Sequence, residues 1–236
     1  MRVIMAWITS SLILFPVIPS KADVYYGEFA PKNIRFQTID GKSGLFEIIT
    51  SYRYQDPNGF VWYVPAGEIT DGASIPSYLW SIVGSPFSGD YLSAAVVHGY
   101  YCRTKERTAH ATHRAFFNGM MAKGMSLWQA KLMYYAVVAF GPSWEIQQVP
   151  VRDLTGKVVG TVPERVDSEP IDEDILATIR LGGGNGKSFL MQLRDRLIES
   201  EGAKAPNICA DCAMTDIDAS LDNLQHLAEK TRLLAE

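Results

Sequence analysis

His98 closes the run Ala94-Ala95-Val96-Val97-His98, a stretch too apolar to form a surface. A histidine there is a base held away from water, and burial lowers its pKa. Further along, His110 and His113 stand three apart, the spacing of neighbours on one helix. Upstream, Thr70-Asp71-Gly72-Ala73-Ser74 offers a carboxylate and a hydroxyl in a polar loop. Three chemistries follow from these residue types. His98 with Asp71 or His113 as orienting partner makes a general base for ester or amide hydrolysis, with Ser74 as nucleophile or donor. His98, His110 and His113, with Asp71 as a further ligand, make a zinc site, although no compact motif such as H-E-x-x-H accompanies them. Core histidines satisfied by hydroxyls such as Tyr100 or Thr112 do no chemistry at all. Thr70, Ser74 and Tyr101 border the site as binding residues. Asp71 and Ser74 also have plainer uses, an Asx-turn and a cap for the helix after Pro76.

Two helices must position the histidines. Leu92, Ala95, Val96, Gly99 and Tyr100 form one helical face, while Ala94, Val97 and Tyr101 make the opposite side apolar too. A helix over residues 90–103 that is apolar all round is a buried one. A second helix starts after Thr108, a good N-cap, with Ala109, His113, Phe116, Phe117 and Met120 on its inner stripe. The short polar link at Lys105 and Glu106 forces the pair antiparallel. Equal arms then put both imidazoles at similar height, roughly 7 Å from the turn, so His98 and His113 are expected to face each other. A third helix opens on Ser126-Leu127-Trp128-Gln129, a capping box in which Ser126 and Gln129 each satisfy the other's backbone N–H, and stops at Gly141-Pro142.

The flanks read more coarsely. Residues 23–64 carry β-branched and aromatic runs at 24–26, 45–54 and 60–64, separated by Asp40-Gly41 and Pro57-Asn58-Gly59 turns, which predicts an antiparallel meander of three or four strands. Residues 144–169 read as loop with short strands around 158–162. Pro170 opens a helix with Ile171, Ile175 and Ile179 on one stripe, and 188–200 is amphipathic. A terminal helix over 216–236 carries Ile217, Leu221, Leu224 and Ala228, a stripe that covers the core or meets a protein partner. The fold class is α+β: a small N-terminal antiparallel sheet packed on a three-helix core, with a mostly helical C-terminal extension. The expected division is a leader at 1–22, the main domain at 23–144, a linker and helical extension at 145–207, and a C-terminal helix at 208–236.

Arg2, the apolar run 3–18 and Ser20-Lys21-Ala22 have the layout of a secretory leader cleaved after Ala22, with an N-terminal membrane anchor as the alternative. Export permits disulfides. Of three cysteines, Cys209 and Cys212 read as a local pair, leaving Cys102 reduced in the core. The net charge of −4 argues against a nucleic-acid partner, and no cofactor is implied. Gly182-Gly183-Gly184-Asn185-Gly186-Lys187-Ser188 imitates a phosphate-binding loop but is one residue short, and reads as a helix cap and turn.

Over residues 64–144 the motifs also combine. Val64-Pro65-Ala66-Gly67, Thr70-Asp71-Gly72-Ala73-Ser74-Ile75-Pro76, Ala94-Ala95-Val96-Val97-His98, His113-Arg114-Ala115-Phe116 and Tyr135-Ala136-Val137-Val138-Ala139-Phe140-Gly141 resemble domain of unknown function family 1353, of bacteria and phages. The family carries no established activity to transfer. Its His-Asp pair followed by a second-helix Asp is similar in pattern to secreted phospholipase A2. There the His activates water, the next Asp binds calcium and the distant Asp orients the His. This sequence has Gly99 and His113 at those two carboxylate positions, so the resemblance implies a site without its calcium ligand or its acidic partner. The expectation is an exported, non-catalytic binding or interaction module with a His-centred pocket. A hydrolase using His98 and a zinc-binding protein are the alternatives.

Overall fold

The computed structural model describes residues 24–71, 91–168 and 184–201, together with Leu221. The leader, the membrane-anchor alternative, Ser74 with its helix, the Ile171–Ile179 stripe, the Cys209 and Cys212 pair and nearly all of the terminal helix lie outside the described residues.

Six short strands come first: β1 (Glu28–Ala30), β2 (Phe36–Ile39), β3 (Lys42–Ile48), β4 (Tyr52–Gln55), β5 (Val61–Val64) and β6 (Ile69–Thr70). They form two antiparallel three-stranded sheets, ordered β1-β4-β5 and β2-β3-β6, rather than one meander. The division falls at Ile48. Its N–H donates to the Glu68 carbonyl and its own carbonyl accepts from Gly67 N–H, drawing β3 toward β6. From Tyr52 the chain pairs with β1 and β5 instead. Strand periodicity then decides what is buried: Tyr52 and Tyr54 of β4, and Trp62 and Val64 of β5, point inward while their neighbours are exposed.

Four described helices follow: α1 (Leu92–Thr104), α2 (Ala109–Ala122), α3 (Leu127–Phe140) and α4 (Gly184–Glu201). Each packs on the next, α1 on α2, α2 on α3 and α3 on α4. The helical core is therefore wider than three helices, because α4 adds Phe189, Leu190, Leu193 and Leu197, and Leu221 joins it. A second core, of Ile48, Tyr52, Tyr54, Trp62, Val64, Val96, Val97, Tyr101 and Ala115, fastens the β1-β4-β5 sheet to α1 and α2. The mixed α+β class holds. Gly119 sets the closeness of α1 and α2: a Cβ there would stand 3.0 Å from Ala94 Cβ and 3.1 Å from Phe29 Cζ. Among the described residues no helix is long and apolar enough to cross a membrane.

Three local expectations change. Residues 144–169 are not mainly loop but a long hairpin, β7 (Ser143–Arg152) with β8 (Val158–Ser168), in register from Ser143↔Ser168 to Pro150↔Thr161. Every residue of β8 is exposed, so no burial pattern marks it in the sequence, and Pro150 and Pro163 argue against a strand. The Ser126 side chain bonds the Gln129 side chain rather than a backbone N–H, so it does not cap α3 as the capping box expects. Finally, α4 begins at Gly184, which puts the Gly-Lys-Ser of the phosphate-loop look-alike inside a helix.

Candidate functional site

The turn between α1 and α2 builds the site. Lys105 ends α1 in the left-handed region, with φ of 51°, and its N–H donates to the Tyr101 carbonyl at 2.8 Å. Thr108 Oγ1 accepts from Ala111 N–H at 3.3 Å and opens α2. So short a turn leaves the helices no freedom to slide, and the two histidines meet. His98 Nε2 lies 2.9 Å from His113 Nδ1, one ring donating its N–H and the other accepting according to tautomer. The rings stand 5.1 Å apart between centroids, tilted by 41°.

A third group joins them. Cys102, one helical turn after His98, places Sγ 3.4 Å from His98 Nε2 and 3.8 Å from its Nδ1. One donor atom each from His98, Cys102 and His113 lies within 4.8 Å of the others. Phe116 stacks on His98 at 4.6 Å, and Trp144 meets His113 edge-on at 6.1 Å. Trp144 comes from the base of the β7–β8 hairpin, which is clamped to the turn. Its indole N–H donates to the Arg107 carbonyl at 2.7 Å, Arg165 Nε donates to the Lys105 carbonyl at 2.7 Å, and Lys105 pairs with Asp167.

Burial keeps all three groups neutral. The imidazole of His98 is held well below its ordinary value, first by burial and then by His113. His113 is pushed down to about 4 by burial, opposed by the Pro142 carbonyl and helped by His110. The Cys102 thiol is pushed up to about 12 by burial, with Lys105 opposing. His113 Nε2 is buried without a hydrogen bond of good geometry, while the Pro142 carbonyl near the ring partly offsets the effect of burial.

The arrangement has a definite chemical character. In a nucleophile–base–orienter relay, the two ring nitrogens of the base serve different neighbours. Here one nitrogen, His98 Nε2, is the nearer one to the sulfur and also the one that touches His113. A thiol with so high a pKa is, moreover, a poor nucleophile. Three neutral donors converging on one point are instead what a soft cation meets.

The other residues singled out by sequence are placed differently. His110 is exposed and lies outside the three convergent donors. Asp71 is exposed just beyond β6, and among the described residues no carboxylate is a cause of the His98 shift. Thr70 pairs with Phe46 in β6. Tyr101 is buried in the sheet-side core, where its hydroxyl accepts from Tyr63 N–H at 3.0 Å and its ring meets Trp62. Cys102 is the residue that sequence reasoning did not bring to the site. It is half-buried at the His98 ring rather than sunk in the core, and its signal was the i, i+4 spacing from His98.

Two curated relatives match part of the chain. Both are described as uncharacterized proteins of Sinorhizobium fredii. The first, y4jT, is 46% identical over 144 residues, which is 61% of this chain and 43% of that protein. The second, y4iH, is 47% identical over 106 residues, 45% of this chain and 44% of that protein. The chain thus spans less than half the length of the curated relatives it matches. No solved structure matches it. Residues 46–137, which hold β4, β5, β6, the whole α1–α2 hairpin and its His98, Cys102 and His113, match the family described as Protein of unknown function (DUF1353).

Proposed function

We propose that the chain is a non-catalytic binding module whose ligand seat is the imidazole pair between α1 and α2, in a protein exported behind its leader. The single observation that supports the seat is the 2.9 Å contact of His98 Nε2 with His113 Nδ1. The nitrogen that a general base would turn toward water or a nucleophile is already engaged by a second neutral imidazole. A hydrolase would need an acidic partner to stabilise the imidazolium, and neither Gly99 nor His113 supplies one. Export rests on the leader-like layout of residues 1–22 alone.

Hydrolysis is the direct test. The purified chain, incubated with phospholipid vesicles and with simple aryl esters, is expected to release product no faster than buffer does, with no difference after His98→Ala. Turnover by the parent that disappears in His98→Ala would overturn the reading. Export is checked by fractionating cells that make the full chain. Uncleaved protein confined to the cytoplasm would remove that part.

A further inference from the structure

We propose that His98, Cys102 and His113 form a three-donor site for a thiophilic divalent transition-metal ion, zinc being the natural occupant, with the fourth coordination position open. The proposal names the ligand of the seat described above and so rests on that reading. It also replaces an exposed imidazole by a sulfur, because His110 lies outside the cluster while Cys102 lies within it.

The geometry carries it. Zinc bonds of about 2.0–2.1 Å to nitrogen and about 2.3 Å to sulfur, at tetrahedral angles, separate two nitrogens by about 3.4 Å and a nitrogen from a sulfur by about 3.6 Å. His98 stands 2.9 Å from His113 and 3.4 Å from Cys102, so those two pairs need to spread by a few tenths of an ångström. The third pair, Cys102 and His113, lies within 4.8 Å and must settle at about 3.6 Å. All three residues sit on two helices joined by a fixed turn, which favours precise placement over loop placement. His98 would bind through Nε2 and His113 through Nδ1. That assignment leaves the buried His113 Nε2 to carry the ring's proton, as the second nitrogen of a ligating imidazole does, with the Pro142 carbonyl near the ring. The Phe116 and Trp144 rings wall the site and lower its local dielectric, which strengthens a bond between a cation and a thiolate.

The proton balance is simple. Both imidazoles are neutral at pH 7 and lose nothing on binding. The thiol must lose its proton: the S–H bond breaks, the sulfur–metal bond forms, and one proton passes to solvent for each ion bound. With three protein donors, water or an added anion completes the tetrahedron.

The test uses the full chain with Cys209→Ser and Cys212→Ser, which leaves Cys102 as its sole thiol. Titration with cobalt(II) is expected to saturate at one ion per chain. It should give the near-ultraviolet thiolate-to-cobalt band and the intense visible bands of a tetrahedral ion, release one proton, and be reversed by zinc. Cys102→Ser should abolish the thiolate band. His98→Gln and His113→Gln should each weaken binding by more than the roughly 10–100-fold that loss of an outer partner alone causes. His110→Gln should change nothing. X-ray absorption of the zinc-loaded parent, expected to show one sulfur and two imidazole neighbours, needs no variant to fold. Absence of saturable binding, a thiolate band that survives Cys102→Ser, or a first shell without sulfur would overturn the proposal. Those failures leave the hydrolysis assay untouched. Ester turnover by metal-free protein would instead remove the binding-module reading, so the two are separable.

Discussion

Two polar clusters flank the α1–α2 hairpin, one buried and closed, the other part-buried and open. On the sheet side, Asp56 accepts Asn58 N–H and Phe60 N–H through one oxygen, at 2.9 and 3.0 Å, and the Trp62 indole N–H through the other, at 3.0 Å. Tyr101 takes the Tyr63 N–H, and Arg107 lies 4.9 Å over the Trp62 ring. Asp56, Trp62 and Tyr101 each spend their polar atoms on named partners, and the result is a rigid joint between sheet and helix. On the other side, His98, Cys102 and His113 satisfy one another only in part, and His113 Nε2 is left over. An unmade hydrogen bond in a buried place costs free energy, so a ligand that gave His113 a full set of partners would be favoured there. The contrast separates structural polarity from reserved polarity within a single helix pair.

The comparison can be broken from the closed side first. Asp56→Ala strands the Trp62 indole N–H and removes three bonds to a charge, and is expected to cost about 3–4 kcal/mol in urea unfolding. A loss under about 1 kcal/mol would show that the joint is not a closed network. The open side answers to pH. In the metal-free chain the folded state holds His113 neutral down to about 4, whereas the unfolded chain protonates near 6.5. The folded pKa is the lower one, so its contribution is complete above about 6.5 and is lost as pH falls toward 4, on the order of 3 kcal/mol. His98 shifts in the same direction. His113→Gln should therefore flatten the stability profile between those limits while carboxylate effects remain, and an unchanged slope would sink the assignment. Smallest is Tyr101→Phe, which strands the Tyr63 N–H at a part-exposed position and should cost about 1 kcal/mol, read from the thermal midpoint.

Parts of this were legible in the chain. The meeting of His98 and His113 followed from two apolar helical stripes and a short link, because a 3.6-residue repeat fixes which way each ring points and a tight turn fixes its height. Thr108 as N-cap followed from its local chemistry. Cys102 did not, although its spacing from His98 was in view. A cysteine on a buried helix is usually a small apolar filler, and only the side-chain directions bring its sulfur to the ring. The β7–β8 hairpin escaped for a different reason. A strand exposed along its length leaves no alternation of apolar and polar residues to read.

The sequence by itself determined the α+β class, the antiparallel helix pair and the apolar surroundings of His98, since each depends on periodicity or on capping within a few residues. The tertiary structure decided which groups share the site. It brought Trp144 and Pro142 from the start of the hairpin onto His113, set Tyr101 to work in the sheet, and left His110 in solvent. Those outcomes depend on how separate elements dock, and docking is governed by the summed fit of whole surfaces and not by the local pattern of any one segment.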